Sequence, residues 1–93
     1  MATDSIVENN TDVTNLLGKP HNVILFNDNS HAMDEVAAQI IKATHCSPSK
    51  AAAIMLEAHS TGRAICFTGG LEKCELVESI LAEIRLSTKI EQV

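Results

Sequence analysis

The residues best suited to bind a ligand form one polar cluster, Asn27-Asp28-Asn29-Ser30, directly after the apolar run Val23-Ile24-Leu25-Phe26. The apolar run is typical of a buried strand, and short polar side chains end strands readily because they hydrogen-bond nearby backbone. A helical pattern follows and includes Met33. The sequence therefore predicts a carboxylate and two amides at a strand-to-helix turn, beside an apolar methionine. Such a site would suit a small cationic group that carries an apolar tail.

Each of these residues also has an ordinary structural explanation. The polar cluster alone is more often turn chemistry than a binding site, and Met33 and Met55 alone are more often core residues. A histidine near a helix end, such as His59, is more often satisfied by backbone or water than by a ligand. Only the joint placement of these residues favours a binding site.

The cysteines and histidines predict neither a metal site nor a nucleophilic centre. Their spacings match neither the C-x2-C nor the H-x3-H pattern of zinc sites. Cys66 lies in an apolar run, where a thiol is usually inert, so a catalytic pair with His59 is not favoured. We therefore expect no metal, no cofactor and no enzymatic activity. Three cysteines at irregular spacing indicate a reducing compartment, which we take to be the cytoplasm.

Composition excludes other classes of partner. A net charge of −5 and an aromatic content of 2% disfavour nucleic-acid binding, which usually needs basic patches or stacking aromatics. No apolar run approaches the length of a membrane span. The 93 residues suit one domain. We expect the chain to be a monomer that binds neither nucleic acid nor membranes.

The order of elements predicts an α+β fold. Residues 1–20 are polar without a clear period and are expected to form a flexible N-terminal arm, with the domain covering residues 21–93. Strands are predicted at 23–26, 63–68 and 87–93, and helices at 32–44, 48–60 and 71–86. Ser30 or His31 is expected to cap the first helix, Ser47 the second, and Gly62 to end the second. The prediction is a compact β-α-α-β-α-β sandwich, with three helices on one face of a three-stranded antiparallel sheet.

Several pieces of the sequence, at matching spacing, resemble the ClpS adaptor family of the Clp ATP-dependent protease. They are Val23-Ile24-Leu25-Phe26-Asn27-Asp28-Asn29, Met33, Met55-Leu56-Glu57-Ala58-His59 and Gly62-Arg63-Ala64-Ile65-Cys66. The resemblance covers residues 23–78 almost without gaps and implies the same fold. It also implies an adaptor that binds proteins beginning with Leu, Phe, Tyr or Trp. Such an adaptor delivers them to the N-terminal domain of a ClpA or ClpC AAA+ unfoldase.

The resemblance assigns roles residue by residue. Asn27 and His59 match positions that hydrogen-bond the α-amino group of the substrate, and Asp28 matches a carboxylate that helps to neutralise it. These are acceptors, as the three donors and the charge of an ammonium group require. The positions that match the walls of the side-chain pocket are Met33, Val36, Met55, Ala58 and Leu86.

Departures from the family pattern surround the expected pocket. Asn29 stands where the family usually has a second aspartate, and His31-Ala32 stands where it commonly has Thr-Pro. Both Asn29 and His31 are expected at the pocket rim. Ala58 stands where the family has a larger apolar residue. These changes are expected to alter which first residues are accepted, or to abolish binding.

The expected unfoldase interface is also altered. Glu72 and Glu75 match acidic positions near that interface, while Val77 stands where the family commonly has a lysine. The alternative to an N-degron adaptor is a divergent ClpS-like or ribosomal-stalk-like interaction domain that does not bind N-terminal residues. The acidic helix faces disfavour the ribosomal-stalk reading, which would need a basic face. The cysteines and histidines lack the spacing of metal-ligand motifs, which disfavours a small enzyme or metalloprotein.

Overall fold

The computed structural model describes residues 19–93 and contains three strands and three α-helices in that range. The strands are β1 (His21–Phe26), β2 (Arg63–Gly69) and β3 (Thr88–Gln92). The helices are α1 (Met33–Thr44), α2 (Pro48–Thr61) and α3 (Leu71–Leu81), and a 3-10 turn (Ala82–Ile84) follows α3. The predicted β-α-α-β-α-β order is confirmed. The predicted arm, through residue 18, lies outside the described residues.

β1 is the central strand of an antiparallel sheet in the order β2-β1-β3. It begins two residues earlier than predicted because His21 and Asn22 pair with both neighbouring strands. Asn22 also accepts a hydrogen bond from the Thr68 hydroxyl at 2.7 Å. A shift in register between Val23 and Ile24 marks an irregularity where β1 meets β2. The polar start of β1 is therefore stabilised by its partners rather than by its own composition.

The core lies between the sheet and the helices. Val23 and Leu25 alternate with Ile24 along β1, and only the first two belong to the cluster that packs against the helices. The buried residues of this core are Val23, Leu25, Val36, Ile40, Ala43, Ala51, Ile54, Ala58, Ala64, Cys66, Cys74, Val77, Leu81 and Leu86. Within residues 19–93, no helix is long and apolar enough to cross a membrane.

The turn between β1 and α1 differs from the prediction in its capping. The residue before α1 is Ala32, which makes no capping hydrogen bond through its side chain. The expectation that Ser30 or His31 caps this helix is wrong, because the Ser30 hydroxyl and the His31 ring both hydrogen-bond the Asp28 carboxylate instead. The polar cluster therefore organises the turn rather than the helix.

The ends of α2 agree with the prediction to within one residue. The Ser47 side chain accepts a hydrogen bond from the Lys50 N–H, and Pro48 occupies the first helical position. At the other end Gly62 takes a left-handed φ of 96° and donates its N–H to the Ala58 carbonyl at 2.8 Å. A residue without a Cβ adopts this conformation with little strain.

α3 ends earlier than predicted. The helix stops at Leu81, and Arg85 takes a left-handed φ of 64°. The predicted helix over 71–86 is therefore too long. Leu86 is returned to the core, and its N–H donates to the Leu81 carbonyl at 3.3 Å. The helix ends early because Leu86 is buried in the core and β3 begins shortly afterwards, at Thr88. Neither feature can be predicted from the helical period of the apolar residues.

Candidate functional site

A cavity of about 210 Å³ opens at the end of β1, between α1 and the second half of α2. Its floor is apolar, since Leu25, Val36 and Ala58 are all buried. Met33 stands 49% exposed beside it, as a residue at the mouth of a cavity would. The lining residues are Leu25, Phe26, Asn27, Asp28, Asn29, His31, Met33, Val36, Met55, Ala58 and His59. Polar groups therefore border an apolar recess at the strand-to-helix turn after β1, where the sequence predicts a binding site.

Asp28 is the carboxylate of this cavity, and its own turn supplies it with donors. Oδ2 accepts the His31 N–H at 2.8 Å and the Ser30 N–H at 3.2 Å, and Oδ1 accepts the Ser30 hydroxyl at 2.9 Å. The His31 ring Nδ1 lies 2.8 Å from Oδ2. Burial alone would raise the pKa of the Asp28 carboxyl, but the hydrogen bonds from His31 and Ser30 outweigh it and lower the pKa. Asp28 is therefore ionised at neutral pH and fixed in place.

Asn27 is anchored at both its backbone and its side chain. Its backbone N–H donates to the Gly62 carbonyl at 2.9 Å, which ties the end of β1 to the end of α2. Its side-chain Nδ2 donates to Oδ1 of Asn29 at 3.3 Å. Because the amide nitrogen is engaged with Asn29, the amide oxygen of Asn27 is available as an acceptor.

His59 reaches the same cavity from the last turns of α2. Its side chain is exposed, and within residues 19–93 neither ring nitrogen has a hydrogen-bond partner. Asn27, at the end of β1, and His59, on α2, therefore border the same cavity. The hydrogen bond from the Asn27 N–H to the Gly62 carbonyl holds the ends of these two elements together. The polar edge of the cavity offers an amide oxygen, an imidazole nitrogen and one carboxylate.

Nearly all of the residues predicted for the pocket line this one cavity, and Leu86 is the exception. Leu86 is 5% exposed and belongs to the hydrophobic core rather than to the cavity lining. Sequence reasoning did not name Leu25 and Phe26 as lining residues, although their place at the end of the predicted strand was the available signal. A strand pattern shows which residues are apolar, but not which of them borders a cavity.

The acidic residues predicted for a partner interface lie elsewhere, on α3. Glu72 and Glu75 are exposed, as is Leu76, the residue that follows Glu75. Val77 is buried in the core at 3% exposure. Glu72, Glu75 and Leu76 therefore form an exposed surface separate from the cavity lining.

A second cavity of about 330 Å³ lies between β2 and the corner of α1 and α2. It contains one cation, Lys50, and the thiols of Cys46 and Cys66, but no carboxylate. Burial raises the pKa of the Cys66 thiol to about 12, so this thiol is not a nucleophile at neutral pH. Within residues 19–93 no three acidic, histidine or cysteine side chains are grouped as metal ligands. The first cavity therefore remains the better candidate site.

Comparison with known proteins identifies the family. The family model of the ATP-dependent Clp protease adaptor protein ClpS matches residues 18–89. A comparison with curated protein sequences found no match. Among solved structures, the fold is similar to that of Agrobacterium tumefaciens ClpS2 bound to L-phenylalaninamide, with a TM-score of 0.75 and 18% identity. The match covers 82% of this chain and 99% of ClpS2. With the family match spanning most of its length, this chain belongs to the ClpS family of Clp protease adaptor proteins.

Proposed function

We propose that the protein binds substrates by their free α-amino group and apolar first side chain, and delivers them to a Clp AAA+ unfoldase. The observation that carries this proposal is the cavity itself, in which Asn27, Asp28 and His59 border an apolar recess. An α-ammonium group offers three N–H donors and one positive charge. The cavity offers matching acceptors and one ionised carboxylate. A first residue such as Leu, Phe, Tyr or Trp would bury its side chain against Val36, Met55 and Ala58, with Met33 at the mouth.

The structural relative supports the same chemistry. L-phenylalaninamide, the molecule bound to ClpS2, carries an α-amino group next to an aromatic side chain. The apolar part of the present cavity includes two methionines, Met33 and Met55, whose flexible side chains adapt to ligands of different shape. A site of this kind would accept more than one apolar first residue.

Direct binding of peptides tests the proposal. Labelled peptides beginning with Leu, Phe, Tyr or Trp are titrated with the full chain by fluorescence anisotropy, each beside an N-acetylated copy. We expect binding of some free-amine peptides and its loss on acetylation, which removes the charge and two of the three donors. Asn27→Ala should weaken binding about 10- to 150-fold, the range expected for a hydrogen bond to a charged group of about 1.5–3 kcal/mol.

A matched control is Asn22, on β1, the strand that Asn27 follows. Asn22→Ala makes the same substitution away from the cavity lining, so it should leave peptide affinity unchanged. If no free-amine peptide binds the wild-type chain, the N-degron proposal is wrong. The chain is then a ClpS-like interaction domain that does not recognise N-terminal residues.

Delivery requires a second surface, and we assign it to α3. Glu72, Glu75 and Leu76 are exposed there and leave the cavity open to substrate. We expect this surface to bind the N-terminal domain of ClpA or ClpC in the cytoplasm. Glu75→Lys should weaken that binding in a pull-down, whereas Glu35→Lys, an exposed change on α1, should not. If the two variants bind the unfoldase domain equally well, α3 is not part of the interface.

A further inference from the structure

The ring of His31 lies at the polar edge of the cavity and is held by Asp28. The His31 side chain is 19% exposed and that of Asp28 is 15% exposed. Nδ1 of His31 is 2.8 Å from Asp28 Oδ2 and 3.3 Å from the Ser30 hydroxyl oxygen. The contact with Asp28 is thus short and largely shielded from water. His31 is also one of the residues that line the cavity.

This contact fixes the position of the proton on the ring. An ionised carboxylate only accepts hydrogen bonds, so Nδ1 of His31 must carry the hydrogen that points to Oδ2. The Ser30 hydroxyl already donates to Oδ1 of Asp28, so its oxygen can accept a second, weaker bond from the same Nδ1–H. In the neutral ring the other nitrogen, Nε2, then has no hydrogen and is an acceptor.

We propose that His31 is a further amino-group-binding residue, which presents Nε2 of its ring to the substrate α-ammonium. This inference rests on the proposed function and deepens it. Asn27, His59 and His31 then supply one acceptor for each of the three ammonium N–H donors. Asp28 supplies the charge and fixes the His31 ring, since its own oxygens are already occupied by Ser30 and His31.

His31→Asn separates the two functions of the ring. The asparagine Nδ2 lies close to the position of Nδ1 and can still donate to Asp28, but the acceptor at Nε2 is lost. At pH 7.5 we expect about tenfold weaker binding of a Phe-first peptide. His45→Asn is the matched control, because His45 is exposed, outside the cavity, and in a left-handed conformation that asparagine tolerates.

Nitrogen NMR of the full-length wild type tests the same idea without a substitution. At pH 7.5 the His31 ring should show hydrogen on Nδ1 alone, and a free-amine peptide should shift the Nε2 resonance while its acetylated copy does not. If the wild type binds in an Asn27-dependent manner, His31→Asn binds equally well and the Nε2 resonance does not move, this inference alone is overturned. Absence of peptide binding at any pH would overturn the proposed function and this inference together.

Discussion

Filling the cavity from its floor should abolish recognition of the first side chain while leaving the polar edge intact. Ala58 is 3% exposed and lines the cavity, so the three added carbon atoms of Ala58→Leu have the recess of about 210 Å³ to enter. Alanine and leucine are both strong helix formers, so α2 itself should tolerate the change. The added side chain would occupy the volume that a Leu or Phe first residue needs.

The size of the effect follows from the area that the peptide can no longer bury. Burying an aliphatic or aromatic side chain stabilises a complex by about 1.5–3 kcal/mol, which corresponds to about 10- to 150-fold in Kd. Ala58→Leu should therefore weaken binding of Phe-first peptides by about that factor. Binding is measured by fluorescence anisotropy, and a thermal unfolding midpoint close to that of the wild type shows that the fold is retained.

Ala53→Leu is the matched control, since Ala53 lies on the same helix but is exposed. It should bind Phe-first peptides as the wild type does. If Ala58→Leu also keeps the wild-type affinity, the first side chain does not enter this cavity and the reasoning is refuted. If both variants weaken binding equally, the effect belongs to α2 as a whole and not to the cavity.

Three further predictions concern the Asp28 carboxylate, the cysteine thiols and Gly62. Because the folded state lowers the pKa of Asp28, its contribution to stability is full above the ordinary value of about 3.9 and is lost as pH falls through the lowered one. Asp28→Asn should therefore be less stable than the wild type in urea at pH 7, with the difference vanishing in acid; a constant difference would contradict this. Burial raises the pKa of Cys66 to about 12 and also raises that of Cys74, so a thiol reagent at pH 8 should label Cys46 first, as mass spectrometry would show. Early labelling of Cys66 would refute its burial. Gly62→Ala should lower the free energy of unfolding by roughly 1–2 kcal/mol because φ is 96°, although an added Cβ meets no atom within 4 Å; an unchanged urea midpoint would contradict this.

The element order and most of the cavity could be predicted because the signals are local. An apolar run followed by a polar cluster predicts the end of β1, and Ser47-Pro48 and Gly62 mark the limits of α2. The apolar period of α1 predicts the burial of Val36 and Ile40. Each of these signals depends on residues within a few positions of one another in the chain.

The features that could not be predicted from the sequence depend on the path of the chain and on contacts between residues that a local pattern does not reveal. The period of α3 continues past Leu81, yet the chain turns there because Leu86 is buried and β3 begins directly after it. No glycine or proline marks that turn, and Arg85 adopts its left-handed conformation without one. Likewise the pairing of Asp28 with the His31 ring could not be read from two polar residues three positions apart. Their relation depends on the path of the turn.

The hydrogen bond from the Asn27 N–H to the Gly62 carbonyl has a consequence for how the site opens. Because Gly62 in turn donates to Ala58, the ends of β1 and α2 share one short chain of backbone bonds. A fluctuation that frees the end of α2 must expose the amides of Asn27 and Gly62 together, and it separates Asn27 from His59 at the same moment. The two amides should exchange with deuterium at matching rates under conditions where exchange reports opening. Their common protection factor would then measure the fraction of molecules with an assembled site, before any ligand is added.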